Sequence, residues 1–64
     1  MDDAQKAAYI TAMAACAQIE AAAMLAHNQA VPPNHHSRYE YTEFMALIDK
    51  YGIHHNAVLT LFQN

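Results

Sequence analysis

Residues 3–29 contain neither glycine nor proline, and alanine dominates them, with Gln, Met, Leu, Lys and Glu interspersed. These are the side chains that lose least freedom in a helix. Just ahead stand Asp2 and Asp3, whose carboxylates can accept from the unpaired first N–H groups and suit the positive end of the helix dipole. The run predicts one helix over 3–29, about 40 Å long at roughly 1.5 Å per residue. Asn28 and then Val31-Pro32-Pro33-Asn34 end it, because proline lacks the N–H to continue and pushes the residue before it out of the α region.

The remainder of the chain is built from shorter and more amphipathic segments. Pro32–Tyr41 reads as a connector, placed at about 30–41. A helical region is expected over about 42–62, with Thr42 as N-cap and Glu43 in the first turn. Phe44, Met45, Leu47, Ile48 and Tyr51 repeat at helical spacing, Gly52 interrupts, and His54–Phe62 sets Val58, Leu59, Leu61 and Phe62 on one face. The expected fold is all-α and a single domain: a long Ala-rich helix, a Pro-containing connector, and a second helix broken near Gly52, together a helical hairpin.

Size then makes self-association the expected state. A chain of 64 residues buries only roughly 60% of its unfolded surface, and small folds compensate with disulfides, metals or partner subunits. The lone Cys16 gives no internal disulfide. Charged residues are 14% of the chain and hydrophobic ones 55%, against a usual charged share of about 25%. On a helical wheel Ile10, Met13 and Met24 share one side with Tyr9 and Cys16 nearby, Ile19 and Leu25 point elsewhere, and alanines fill most of the rest. Lys6, Glu20 and His27 fall on the Met13 and Met24 side, while Thr11 and Gln18 form a narrow polar strip at the back. A helix that is apolar nearly all round is normally buried all round. The rest of the chain is too short to cover such a rod, whereas second copies of it can. The candidate oligomer interface is Tyr9, Ile10, Met13, Cys16, Ala17 and Met24, in a homodimer or higher oligomer. The competing expectation is a solvated Ala-rich helix, which also stands in water.

Several function classes are disfavoured. Lys6, Arg38 and Lys50 face six acidic residues, for a formal charge of −3, so the phosphate-neutralising cations of a nucleic-acid binder are too few. Ala7–Ala26 is long enough to span a bilayer, but half of it is alanine and Glu20 lies inside it, so no membrane span is expected. The acidic start lacks the basic region of a secretory signal, which makes the expected location cytoplasmic. No phosphate loop is possible with one glycine, and Ser37 is the only serine, so no enzyme activity and no cofactor are expected. The histidines, His27, His35-His36 and His54-His55, do not fall at metal-ligand spacing, so no metal is expected. A histidine cluster near a symmetry axis would bring pH sensitivity.

Two segments are candidate contact sites. His35-His36-Ser37-Arg38-Tyr39-Glu40-Tyr41 gathers the residue types that dominate interfaces, and His35, His36, Arg38, Tyr39 and Tyr41 are its candidate partner or ligand residues. The alternative there is that the tyrosines merely close the hairpin. Phe44–Gln63 resembles a helix-turn-helix: Gly52 takes the turn, Ile53 plugs the corner, and Val58 and Leu61 pack back. The resemblance implies that His54, His55 and Asn56 would lead a recognition helix, yet that helix carries no Arg or Lys.

Tyr51-Gly52-Ile53-His54-His55-Asn56-Ala57-Val58, together with the Ala-rich opening, resembles small helical proteins encoded by bacteriophages. This resemblance implies a non-catalytic accessory protein that binds and inhibits a bacterial host component, a defence system among them, in the cytoplasm of the infected cell. Two alternatives stay open: an oligomeric sponge that sequesters a nucleotide signal, and a DNA-binding regulator.

Overall fold

A computed structural model describes residues 1–63 of the chain, which form three helices: α1 over Asp3–Ala30, α2 over Tyr41–Lys50 and α3 over His55–Phe62. Among the described residues there is no strand. The start of α1 is closed by a capping box in which Asp2 Oδ1 accepts from Gln5 N–H at 2.8 Å and Gln5 Oε1 accepts from Asp2 N–H at 3.0 Å. The helix runs on through Ala30, and Val31 leaves it in an extended conformation (φ −112°, ψ 157°), as a residue before proline must.

Helix α2 begins earlier than the Thr42 cap expected from sequence. Glu40 is the N-cap, and its backbone N–H donates to Glu43 Oε1 at 3.1 Å. The Glu43 carboxylate reaches back three residues and so sets the start at Glu40, leaving Thr42 exposed inside the first turn. At the other end Gly52 takes φ 64°, Gly52 N–H donates to Asp49 O at 3.1 Å, and Ile53 N–H donates to Ile48 O at 3.0 Å. That pair of bonds is a Schellman motif, which needs a left-handed residue at this point. The space around Gly52 is open, so the requirement for glycine comes from the backbone and is worth about 1–2 kcal/mol. The chain re-enters a helix after His54, whose Nδ1 accepts from Ala57 N–H at 3.2 Å.

Together α2 and α3 run back along α1 and cover one side of it. Tyr39, ahead of α2, meets Asn28 near the end of α1. Lys50 and Tyr51 meet Glu20 at its middle, and Phe62 at the end of α3 lies 5.6 Å from the Lys6 ammonium. Both short helices pack on α1 and not on each other. The result is a kinked hairpin with extents of 48 × 17 × 10 Å, two helices wide and one thick. Its inner stripe on α1 runs Lys6, Ile10, Met13, Ala17, Glu20, Met24, His27 at alternating spacings of four and three.

The fold has almost no interior. Among the described residues Ala17, Met24, Asn28 and Leu47 are buried, and no side chain is fully enclosed. Away from that stripe α1 is bare, with Ile19 71% exposed and Leu25 52%, and Tyr9 at the rim is 48% exposed. The chain exposes 4824 Å², whereas the area–mass relation for folded monomers gives about 4,100 Å² at this mass.

Candidate interaction surfaces

The connector is fastened to the end of α1 by the residues around Asn28. Asn28 Nδ2 donates to Tyr39 O at 2.9 Å, and Asn28 Oδ1 accepts from Tyr39 N–H at 2.7 Å. The amide therefore pairs with a backbone as a neighbouring strand would. Arg38 Nη1 donates to Asn28 O at 2.6 Å, satisfying a carbonyl that the helix end leaves open and placing a cation at the negative end of the dipole. His27 Nε2 lies 3.0 Å from Ser37 O and 2.9 Å from Ser37 Oγ. A carbonyl only accepts, so this nitrogen carries the proton. Ser37 N–H donates to His35 Nδ1 at 3.1 Å, so that nitrogen is bare and also receives the Ser37 hydroxyl at 2.7 Å. Tyr39 sits edge-on to His27 at 5.4 Å and to Phe44 at 6.5 Å between ring centroids.

The connector's candidate contact residues are thus divided. His35 Nδ1 and Arg38 Nη1 are engaged within the chain, and Tyr39 contributes its backbone and its ring to the fastening. His36 is exposed and stacked on His35 at 4.4 Å, and Tyr41 is 75% exposed. His54, His55 and Asn56 lie at the other end of α2, about 15 Å away along a ten-residue helix. The two groups do not form one site. His54 caps α3 with its ring and has Nε2 3.9 Å from Asp49 Oδ1, while His55 and Asn56 are exposed. Among the described residues no group of three or more His, Cys, Asp or Glu side chains converges as metal ligands would.

A second fastening holds the middle of the hairpin. Lys50 Nζ donates to Glu20 Oε1 and Tyr51 OH donates to Glu20 Oε2, both at 2.6 Å. The Lys50 and Tyr51 hydrogen bonds hold the Glu20 carboxyl below its ordinary range, and the same carboxylate raises Lys50 and Tyr51 above theirs. A carboxylate lowered in the folded state stabilises fully above its unfolded pKa, and that contribution is lost as pH falls through the lowered value. The raised Lys50 and Tyr51 contribute below their unfolded values and lose that contribution as pH rises through the raised ones. The stability gap between the parent and Glu20→Gln should therefore be level across neutral pH and shrink at both the acid and alkaline ends. Thermal melts of both proteins across pH test this, and a gap unchanged into acid would show that the carboxylate charge is idle.

All three cations of the chain are engaged: Arg38 at the end of α1, Lys50 on Glu20, and Lys6 beside Asp3 at 3.8 Å and over Phe62. The oligomer residues expected from sequence are split by the fold. Ile10, Met13, Ala17 and Met24 lie on the side that α2 and α3 cover, whereas Tyr9 and Cys16 flank that side at its rim and are exposed. Ala17 and Met24 in particular are buried within the single chain, so the grouping is corrected for these two, which the chain's own helices cover; what stays uncovered is the far side of α1. Ala8, Ala12, Ala15, Ile19, Ala22 and Ala26 line it, all exposed. A second apolar strip, Tyr41, Met45 and Ile48, flanks a shallow groove on α2 that Asp49 borders.

By length and composition α1 is also apolar enough to cross a membrane, and 6% of its most apolar window is buried. Glu20 stands in the middle of α1 with Lys50 and Tyr51 attached, so immersing α1 would carry an ion pair in with it, at a cost of several kcal/mol.

The structure thus defines an all-helical hairpin with polar fastenings between its helices and an exposed apolar face along α1. The chain matches no protein-family model, no curated protein and no solved structure.

Proposed function

We propose that this chain is a non-catalytic binding protein that works as a homo-oligomer in an aqueous compartment. The observation that carries the reading is the uncovered side of α1, with Ile19 71% exposed in a chain that has almost no interior. A monomer would leave about 700 Å² more surface in water than its mass requires. That excess approaches the ~800 Å² each partner buries in a standard interface.

With α1 paired, the Tyr41–Met45–Ile48 strip on α2 is left for a foreign protein. Tyrosine is enriched at interface hot spots and methionine adapts to irregular partners. The resemblance to phage-encoded helical proteins supports a bacterial host component as that partner, with inhibition of a defence system in the infected cytoplasm as the role. The nucleotide-sponge and DNA-regulator alternatives both call for free cations, and the three present are engaged within the chain.

The test is molar mass by light scattering over a range of concentrations. The expected result is a mass at least twice the 7.1 kDa of the chain. A concentration-independent monomer would overturn the oligomer.

A further inference from the structure

We propose that the connector is held to the end of α1 by a proton-operated latch, in which neutral His35 locks Ser37 onto His27 and a protonated His35 lets that side of the connector go.

The lock is a relay of hydrogen bonds through Ser37. From α1, His27 Nε2 lies 3.0 Å from Ser37 O and 2.9 Å from Ser37 Oγ. Ser37 Oγ lies 2.7 Å from His35 Nδ1, and Ser37 N–H donates to that same nitrogen at 3.1 Å. A backbone N–H has no acceptor function, so the bond exists only while His35 Nδ1 is bare. Histidine changes charge between about pH 5 and 8, and a proton taken up by His35 goes to this nitrogen. The Ser37 hydroxyl can then turn and accept. The Ser37 amide cannot, and two N–H groups are left pointing at each other.

The neighbours of His35 make that charge harder to hold. His27 reaches it from α1 through the same serine oxygen, His36 stacks on it at 4.4 Å, and Arg38 follows in the connector, bonded to Asn28 O. On the α2 side Glu43 is turned back to the Glu40 N–H. Among the described residues no carboxylate forms an ion pair with His27, His35 or His36; the pairs present are Lys6–Asp3, Lys50–Glu20 and His54–Asp49. His27 differs from His35, because its Nε2 is already a donor. A second proton on His27 keeps its bonds to Ser37 and adds a cation at the negative end of α1, where one is favoured. The Asn28–Tyr39 pairing contains no titrating group, so opening is confined to the His35–Ser37 side of the connector. The open form binds a proton that the latched form rejects. The latch therefore stabilises the fold fully at the alkaline end of this range, and that contribution is lost as pH falls.

Thermal melts of the full chain at about pH 8 and about pH 5.5 test this with the parent, His35→Asn and His35→Ala. Asparagine presents an acceptor oxygen to the N–H two residues on, as in an Asx turn, and it does not titrate. At the higher pH His35→Ala should melt about 4–8 °C below the parent, the shift expected for one hydrogen bond in so small a fold. On acidification the parent should lose about 4–8 °C relative to His35→Asn and converge on His35→Ala. Acid effects shared by all three proteins cancel, including that on His54, whose Nδ1 accepts from Ala57 N–H. A parent-to-His35→Asn difference that is the same at both pH values overturns the proposal, as does a His35→Ala protein that melts with the parent at the higher pH. Imidazole nitrogen NMR of the parent gives a reading free of variants. A bare His35 Nδ1 at the higher pH supports the latch, and a protonated one overturns it.

Discussion

Replacing Asn28 with alanine should detach the connector from α1 and remove a large part of the chain's stability. Asn28 is 7% exposed, and its amide makes both a donated and an accepted hydrogen bond with the Tyr39 backbone. Truncation leaves a backbone N–H and a C=O unmatched in a half-covered place, at about 1–3 kcal/mol for each group. A domain of this length has only ~3–10 kcal/mol in total. Each kcal/mol moves the melting temperature of so small a fold by about 4–8 °C. Thermal circular dichroism should therefore show a fall of ~8 °C or more, with the helix signal of α2 and α3 lost first. Asn28→Asp sharpens the test. It keeps the acceptor for Tyr39 N–H but turns a second oxygen towards Tyr39 O and adds a negative charge near the negative end of α1. It should melt far below the parent at neutral pH and recover in acid, where a protonated carboxyl can donate again. An Asn28→Ala protein that melts with the parent would show that ring packing on His27 and Phe44 holds Tyr39 without the amide.

The course of the chain is legible in its local signals. The glycine- and proline-free run, the Asp2 cap, the proline stop and the break at Gly52 each act within a few residues, and each lies where its chemistry puts it. The start of α2 is less so. Thr42 is the better capping residue in isolation, yet the Glu43 carboxylate reaches Glu40, and that reach decides the boundary. The fastenings at Asn28, His27 and Ser37 span ten or eleven residues, so they exist only once the connector has folded back. No spacing rule anticipates them.

The inner face of α1 misleads for a different reason. The helix carries two stripes at three-four spacing, one through Ile10, Met13, Ala17 and Met24, the other through Ala12, Ala15, Ile19 and Ala22. Periodicity alone cannot say which of them the chain covers for itself. Lys6, Glu20 and His27 resemble marks of a solvated surface on the first stripe, when they are the groups that tie α3, α2 and the connector to it. The charged side is the inner side because a thin hairpin keeps its polar fastenings at the rim of its own contact. The side with no charge at all is what remains for a second molecule.

That division makes Ile19→Glu the substitution with the greatest effect on assembly. Glutamate is a better helix former than isoleucine, and Ile19 makes little contact within its own chain, so the isolated hairpin should lose nothing. In a dimer paired through this face the substitution removes two buried Ile side chains, at about 1.5–3 kcal/mol each, and puts a carboxylate from each copy into the contact. A loss of ~3–6 kcal/mol weakens association about 10²- to 10⁴-fold. Light scattering should report a monomer at concentrations where the parent is a multimer, while Ile19→Leu keeps the parent mass. Thermal melts supply the second reading. A fold stabilised by its own copies melts higher as protein concentration rises, so the parent should show that rise and Ile19→Glu should not. A multimer that survives Ile19→Glu would place the interface elsewhere, and the Tyr41–Met45–Ile48 strip would be the surface to charge next.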